Sequence, residues 1–144
     1  MKTAFALAVL IVCAAAYVSA HAAPVTYLIT YNPGGVVADF RATARELART
    51  HTPIIVDGPC YSSCTVLVDQ DRAQVCITDR AVLGYHLGSE NGWLDAQHSV
   101  TPPRVGISYA TPGLNGWIEA NGGLPTYGLL KMYPDDAARF YRHC

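Results

Sequence analysis

Ile54-Ile55-Val56-Asp57-Gly58-Pro59-Cys60-Tyr61-Ser62-Ser63-Cys64-Thr65-Val66-Leu67 is the stretch on which the reading of this sequence turns. Three consecutive β-branched residues predict a buried strand, since branched side chains pack well on a pleated surface. Gly58-Pro59 ends that strand, because proline cannot donate to a ladder and glycine punctuates it. Small polar residues follow, then an apolar run that starts a helix. A serine at a strand-to-helix turn sits beside the free N–H groups and the positive end of the helix dipole. A negative oxygen forming there would be stabilised. The plainer role for the same serine is helix capping inside a small disulfide loop.

The flanking sequence extends this pattern in both directions. Residues 25–31 are rich in Val, Thr, Tyr and Ile and predict a strand. Asn32-Pro33-Gly34-Gly35 is a sharp turn. Residues 36–49 predict a helix, with Val36, Val37, Phe40, Ala44 and Leu47 on one face. Asp39, Arg41, Arg45, Glu46 and Arg49 lie largely off that face, as a solvated surface. Strand, helix and strand within about thirty residues make a βαβ unit with parallel pairing. A short helix follows Ser62. Residues 74–78, carrying Cys76, and residues 82–86, ending at His86, predict two further strands. Residues 89–104 read as a long binding loop or lid. Residues 114–120 predict a helix closed by Asn121-Gly122-Gly123, and residues 127–132 a weak helix. A last helix is expected over residues 135–141, with Pro134 in its first turn and Asp135 and Asp136 near its positive end.

The first residues belong to no domain. Lys2, an apolar run over residues 4–18 and Ser19-Ala20-His21-Ala22 form a charged segment, a hydrophobic segment and small-residue cleavage sites. The run is short for a membrane-spanning helix, which needs roughly 20 apolar residues. Val12 before Cys13 fits a lipoprotein signal poorly. The reading is a signal peptide over residues 1–22 and one domain over residues 23–144, exported to the periplasm or secreted. Lys and Arg number 10 against 11 Asp and Glu, with no basic patch, so neither nucleic acid nor an anionic membrane surface is an expected partner. Cys60, Cys64, Cys76 and Cys144 remain after cleavage. An even number in an exported chain suggests two disulfides, with three possible connectivities. Zinc is the weaker alternative, because Cys76 and Cys144 form no knuckle matching Cys60 and Cys64; no metal and no cofactor are expected. Proximity pairs Cys60 with Cys64, and elimination then pairs Cys76 with Cys144.

Two turns thus stand at the ends of adjacent parallel strands, where sites form in open α/β sheets. Gly35 lets the backbone approach a ligand and offer its N–H, and the N–H of Ser63 starts the helix behind Ser62. Two such N–H groups near a serine hydroxyl make an oxyanion hole. His86, ending another strand, is placed to act as a general base. At these residues the chain resembles the Clp protease proteolytic subunit and its crotonase-fold relatives, most of all the exported, periplasmic Clp-peptidase-like proteins. Asn32-Pro33-Gly34-Gly35 resembles the family's Ser-Pro-Gly-Gly loop, Gly58 to Cys64 the segment around its nucleophile, and Leu83-Gly84-Tyr85-His86 the segment carrying its histidine.

The resemblance runs from about Val25 to Gly88. It implies an α/β, ClpP/crotonase-like fold of βαβ units with a mainly parallel sheet flanked by helices and a trimmed C-terminal helical region. It further implies Ser62 as nucleophile, His86 as base, and Gly35 and Ser63 as oxyanion donors. The family's interval from His86 lands on Asp135 or Asp136 for the third catalytic residue; helix N-terminal charge is the competing role for both. The cysteines around the serine pair depart from the family and suit export. The expected function is an exported serine hydrolase, a Clp-like peptidase acting by acyl transfer on peptides or small esters and amides. It would work without an ATP-driven partner, as a monomer or small oligomer. The alternative is a non-catalytic secreted binding module on the same fold. A Ser–Lys dyad would need Lys131, far along the chain, and acyl-CoA chemistry does not suit an exported protein. His51, His98 and His143 carry no specific signal.

Overall fold

The computed structural model describes residues 25–70, 72–88 and 109–144. The expected leader and the expected loop over residues 89–104 lie outside them. Strand β1 is Tyr27–Ile29, helix α1 Val37–Arg49 and strand β2 Ile54–Val56, the expected βαβ unit. Strand β4, Val75–Ile77, and the short terminal strand β7, Arg142–His143, continue the same sheet. Its order is β1-β2-β4-β7 and every pairing is parallel. The register places Tyr27 beside Ile54 and Val75, and Ile29 beside Val56 and Ile77. Because side chains alternate along a strand, Ile29, Ile54, Val56, Val75 and Ile77 share the buried face. α1 lies against α2, Cys64–Gln70, contributing buried Ala44 with half-buried Phe40 and Leu47, while its charged residues face solvent.

The second sheet was not legible in the sequence. Gly58-Pro59 does end β2, but the chain restarts at once as strand β3, Pro59–Tyr61. Gly58 makes the crossing possible: a Cβ there would lie 2.0 Å from the Thr30 carbonyl oxygen. Proline is tolerated as the first residue of a strand, where its missing N–H costs no ladder bond. β3 pairs in parallel with β5, Val82–Tyr85, and β5 pairs antiparallel with β6, Leu130–Met132. The weak helix expected over residues 127–132 is therefore corrected to a strand. Leu130, Lys131 and Met132 are half-buried, exposed and buried in turn. That period of two fits a strand docked on a half-covered edge, and pairing with β5 outweighs the helical propensity of the three residues.

Helix α3 spans Leu114–Ala120 as expected and buries Leu114, Trp117 and Ile118. The final helix is shorter than expected: α4 is Pro134–Ala137. Tight turns to the carbonyl of Ala137 then deliver buried Tyr141 and the strand β7. Two disulfides join Cys60 to Cys64 and Cys76 to Cys144, with Cα separations of 5.3 and 5.0 Å. They use all four cysteines of the described residues, so no thiolate is left for zinc. Among the described residues no helix is long and apolar enough to cross a membrane.

Candidate active site

Ser62 sits at the carboxyl end of β3, in the second sheet. β3 ends at Tyr61, α2 begins at Cys64, and Ser62 makes the turn between them with a φ of 57°. A left-handed conformation is uncommon for a residue with a side chain and persists only where its surroundings over-determine it. Here they do. The Ser62 N–H donates to the Gly84 carbonyl at 2.8 Å, and the Ser62 carbonyl accepts from the Thr65 N–H at 3.0 Å and the Thr65 hydroxyl at 2.6 Å. The fully buried Cys60–Cys64 disulfide spans the turn.

β5 carries the chain to His86. Its Nε2 lies 2.6 Å from the Ser62 Oγ, and its Nδ1 lies 2.6 Å from the carbonyl oxygen of Leu87. A carbonyl only accepts, so Nδ1 holds the proton and donates it to Leu87. Nε2 is then the bare acceptor, and the Ser62 hydroxyl donates to it. This is the tautomer that a general base for Ser62 requires.

The expected third residue is in a different place. Asp135 and Asp136 occupy the first turn of α4, and Asp136 lies 3.7 Å from Arg139. Among the described residues no hydrogen bond or ion pair joins either aspartate to His86. The Leu87 carbonyl stands where a carboxylate was expected. No sequence motif could have revealed it, since every residue carries a carbonyl.

The Asn32–Gly35 turn is pressed against the serine. Asn32 docks on β3 through an N–H to Pro59 at 2.8 Å and a carbonyl that accepts from Tyr61 at 2.9 Å. Its side chain accepts the Gly34 N–H at 2.9 Å. Gly34 has a φ of 89°, and a Cβ there would fall 2.6 Å from the Ser62 Cβ. Only glycine fits both the backbone angle and the gap. Gly35, the expected first oxyanion donor, gives its N–H to the Ser63 Oγ at 2.6 Å, and the Ser63 hydroxyl donates to the Gly35 carbonyl at 2.9 Å. Among the described residues the N–H of Ser63, the expected second donor, meets no acceptor.

Behind the turn lies a set of tyrosines that sequence reading did not single out. The Tyr109 hydroxyl lies 3.0 Å from the Thr65 hydroxyl, and the Tyr85 and Tyr109 rings meet edge to face at 5.2 Å. Burial pushes Tyr109 and Tyr141 up to about 12 and holds Tyr85 well above the usual tyrosine range. Asp69 of α2 accepts the N–H groups of Ala110 and Thr111 at 2.6 and 2.8 Å, which fixes the approach to α3. Asp57, at the end of β2, is braced by Arg80 and Thr78, and those hydrogen bonds hold its carboxyl below the usual range.

The remaining candidates sit apart from the serine. His51 contacts Gln74 at 3.2 Å, and His143 contacts Asp79 at 2.9 Å. His98 falls outside the described residues. Lys131 lies opposite Gly84 in the β5–β6 register, with its Nζ 5.9 Å from the centre of the Tyr61 ring. His86, not Lys131, holds the Ser62 hydroxyl. Among the described residues no group of three or more His, Cys, Asp or Glu could hold a metal ion. Comparison with protein-family models, with curated proteins and with solved structures finds no match.

Proposed function

We propose that this protein is an exported serine hydrolase of the Clp-peptidase and crotonase-like type, acting by acyl transfer on peptides or small esters and amides. The observation that carries the reading is the 2.6 Å contact between Ser62 Oγ and His86 Nε2, with Nδ1 committed to the Leu87 carbonyl. In the reaction, Ser62 attacks the substrate carbonyl while its proton passes to Nε2. The resulting imidazolium keeps its second N–H on Leu87. The tetrahedral oxygen is stabilised by the N–H of Ser63 and by that of Gly35 once it turns from Ser63. His86 then returns the proton to the leaving group, and water, activated by the same base, releases the acyl group. A carbonyl dipole stabilises the imidazolium less than a carboxylate does, so turnover slower than that of a full triad is expected. Two disulfides suit an oxidising compartment. The substrates would be small or already unfolded, the assembly a monomer or small oligomer, and an ATP-driven partner is not needed.

One observation favours a second reading. The Gly35 N–H is satisfied inside the protein. A secreted binding module that uses the Ser62–His86 cleft without turnover would look the same.

A fluorophosphonate probe separates the two. The folded mature protein should label at Ser62, and Ser62→Ala or His86→Ala should abolish labelling. Asp135→Asn and Asp136→Asn should leave it intact, because neither side chain touches His86. A folded wild-type protein that neither labels nor cleaves peptide or ester substrates decides for the binding module.

A further inference from the structure

The side chain of Ser63 has a position that the acyl-transfer scheme does not call for. Ser63 is fully buried behind the turn, and its hydroxyl binds both polar groups of a single residue, Gly35, 28 positions earlier in the chain. That residue is the one whose N–H an oxyanion at Ser62 would need. An N–H carries one proton. While it is aimed at the Ser63 Oγ at 2.6 Å, it does not reach a tetrahedral oxygen on Ser62.

The loop around this contact is fixed at both ends, and its slack lies at Gly35. Asn32 is tied to β3 by two backbone hydrogen bonds, and its side chain holds the Gly34 N–H. The next fixed element is α1, starting at Val37. Between them lie two consecutive glycines. Gly34 already has a positive φ. Gly35 is exposed, and a Cβ there would meet only Phe40, at 3.4 Å. Gly34 stays packed against Ser62 and Tyr61, so the N–H turns through Gly34 ψ and Gly35 φ, and on the exposed Gly35 side that turn meets little steric resistance. When the N–H leaves, the Ser63 hydroxyl can keep donating to the Gly35 carbonyl or to another acceptor uncovered by the rotation, so the buried oxygen is not left as a stranded donor.

We propose that the Ser63 hydroxyl is a latch on the oxyanion hole. It is a positioning residue that holds the Gly35 N–H inward at rest, with Ser63's own N–H as the one donor left open. Ligands that place a negative oxygen at Ser62 draw the Gly35 N–H outward; neutral carbonyl ligands draw it less. The site therefore favours ligands whose bound form is a true oxyanion. This rests on the hydrolase reading for the identity of the ligand, whereas the latch itself is a property of the Ser63–Gly35 contact.

Amide hydrogen exchange by NMR, combined with fluorophosphonate labelling, tests it on the full mature chain. In the wild type the Gly35 amide should exchange more slowly than that of Val36, although Gly35 lies on an exposed loop. In Ser63→Ala the Gly35 amide should lose that protection and the melting temperature should fall. Labelling at Ser62 should nevertheless speed up by about 2–10-fold, the population released by losing one neutral hydrogen bond. A faster reaction in a less stable protein is a pairing that a purely structural role for Ser63 does not produce. An unprotected Gly35 amide in the wild type overturns the latch even if Ser63→Ala fails to fold. Slower labelling of a folded Ser63→Ala also overturns it. If Gly35 is protected in the wild type and released in Ser63→Ala while neither protein labels, the latch stands and the hydrolase reading falls.

Discussion

Cys60–Cys64 and Cys76–Cys144 are the same bond placed at opposite scales of the chain. The first spans four positions and encloses Ser62 and Ser63, the turn with the positive φ. The second spans 68 positions and ties the last residue to β4 in the middle of the first sheet. Loop-closure entropy grows with the logarithm of length, so the long bridge is the more stabilising one, at about 4 kcal/mol against about 2 kcal/mol for the short one. The short bridge confines the backbone of Ser62, the proposed nucleophile, where a small displacement would cost catalysis more than stability. One region is held so that the domain persists, and the other so that one angle does. Tyr85, Tyr109 and Tyr141 lie between them, reaching the turn through Thr65 and the C-terminus through Tyr141.

The largest effect is expected at alkaline pH, where both regions should fail together. Tyr109 and Tyr141 ionise near 12 in the folded protein against about 10 when unfolded, so between those values the folded state holds more protons. Stability is then fully present below pH 10 and is lost as pH rises toward 12, by about 2–3 kcal/mol for each tyrosine. After the exposed tyrosines have ionised, the last step in tyrosinate absorbance should coincide with loss of far-ultraviolet circular dichroism. A tyrosinate titration that is already complete near pH 10 in a folded protein, counting the buried Tyr85, Tyr109 and Tyr141 with the exposed Tyr31, Tyr127 and Tyr133, would show that the cluster is not sealed.

The next effect separates the two bridges. Cys76→Ala with Cys144→Ala should lower unfolding free energy by about 4 kcal/mol in a denaturant titration, while the fraction that remains folded labels at Ser62 at the wild-type rate. The smallest change in stability, about 2 kcal/mol, is expected for Cys60→Ala with Cys64→Ala. Here the folded protein should label about 10–100-fold more slowly, as expected for a displaced nucleophile. If the long-bridge variant loses labelling and the short-bridge variant keeps it, the division of roles is reversed.

The parts legible in advance share a cause. The βαβ unit follows from local apolar patterning: Ile54, Ile55 and Val56 form a strand wherever they are covered, and Phe40, Ala44 and Leu47 place one face of α1 inward. Ser62 and His86 were found by motif and interval, and they meet at 2.6 Å. The misplaced parts also share a cause. β3 and β6 are three-residue strands whose state is set by the β5 edges beside them. Leu130, Lys131 and Met132 favour helix when taken alone. Asp135 and Asp136 were reached by counting from His86; in the structure Asp136 pairs with Arg139, and the His86 Nδ1 meets the Leu87 carbonyl instead.

Residue identity alone specifies the parallel βαβ start, the serine at a strand-to-helix turn, the histidine at a strand end and the cysteine pairing, because each depends on local pattern or on elimination. The crossing into a second sheet at Gly58, the orientation of His86 by the Leu87 carbonyl and the hold of Ser63 on the N–H of Gly35 come from packing across the fold. Each of those is a backbone group meeting a partner across the fold. Backbone groups are the same at every position, so residue identity does not announce them, and their pairing is set by which segments the core brings within hydrogen-bond distance.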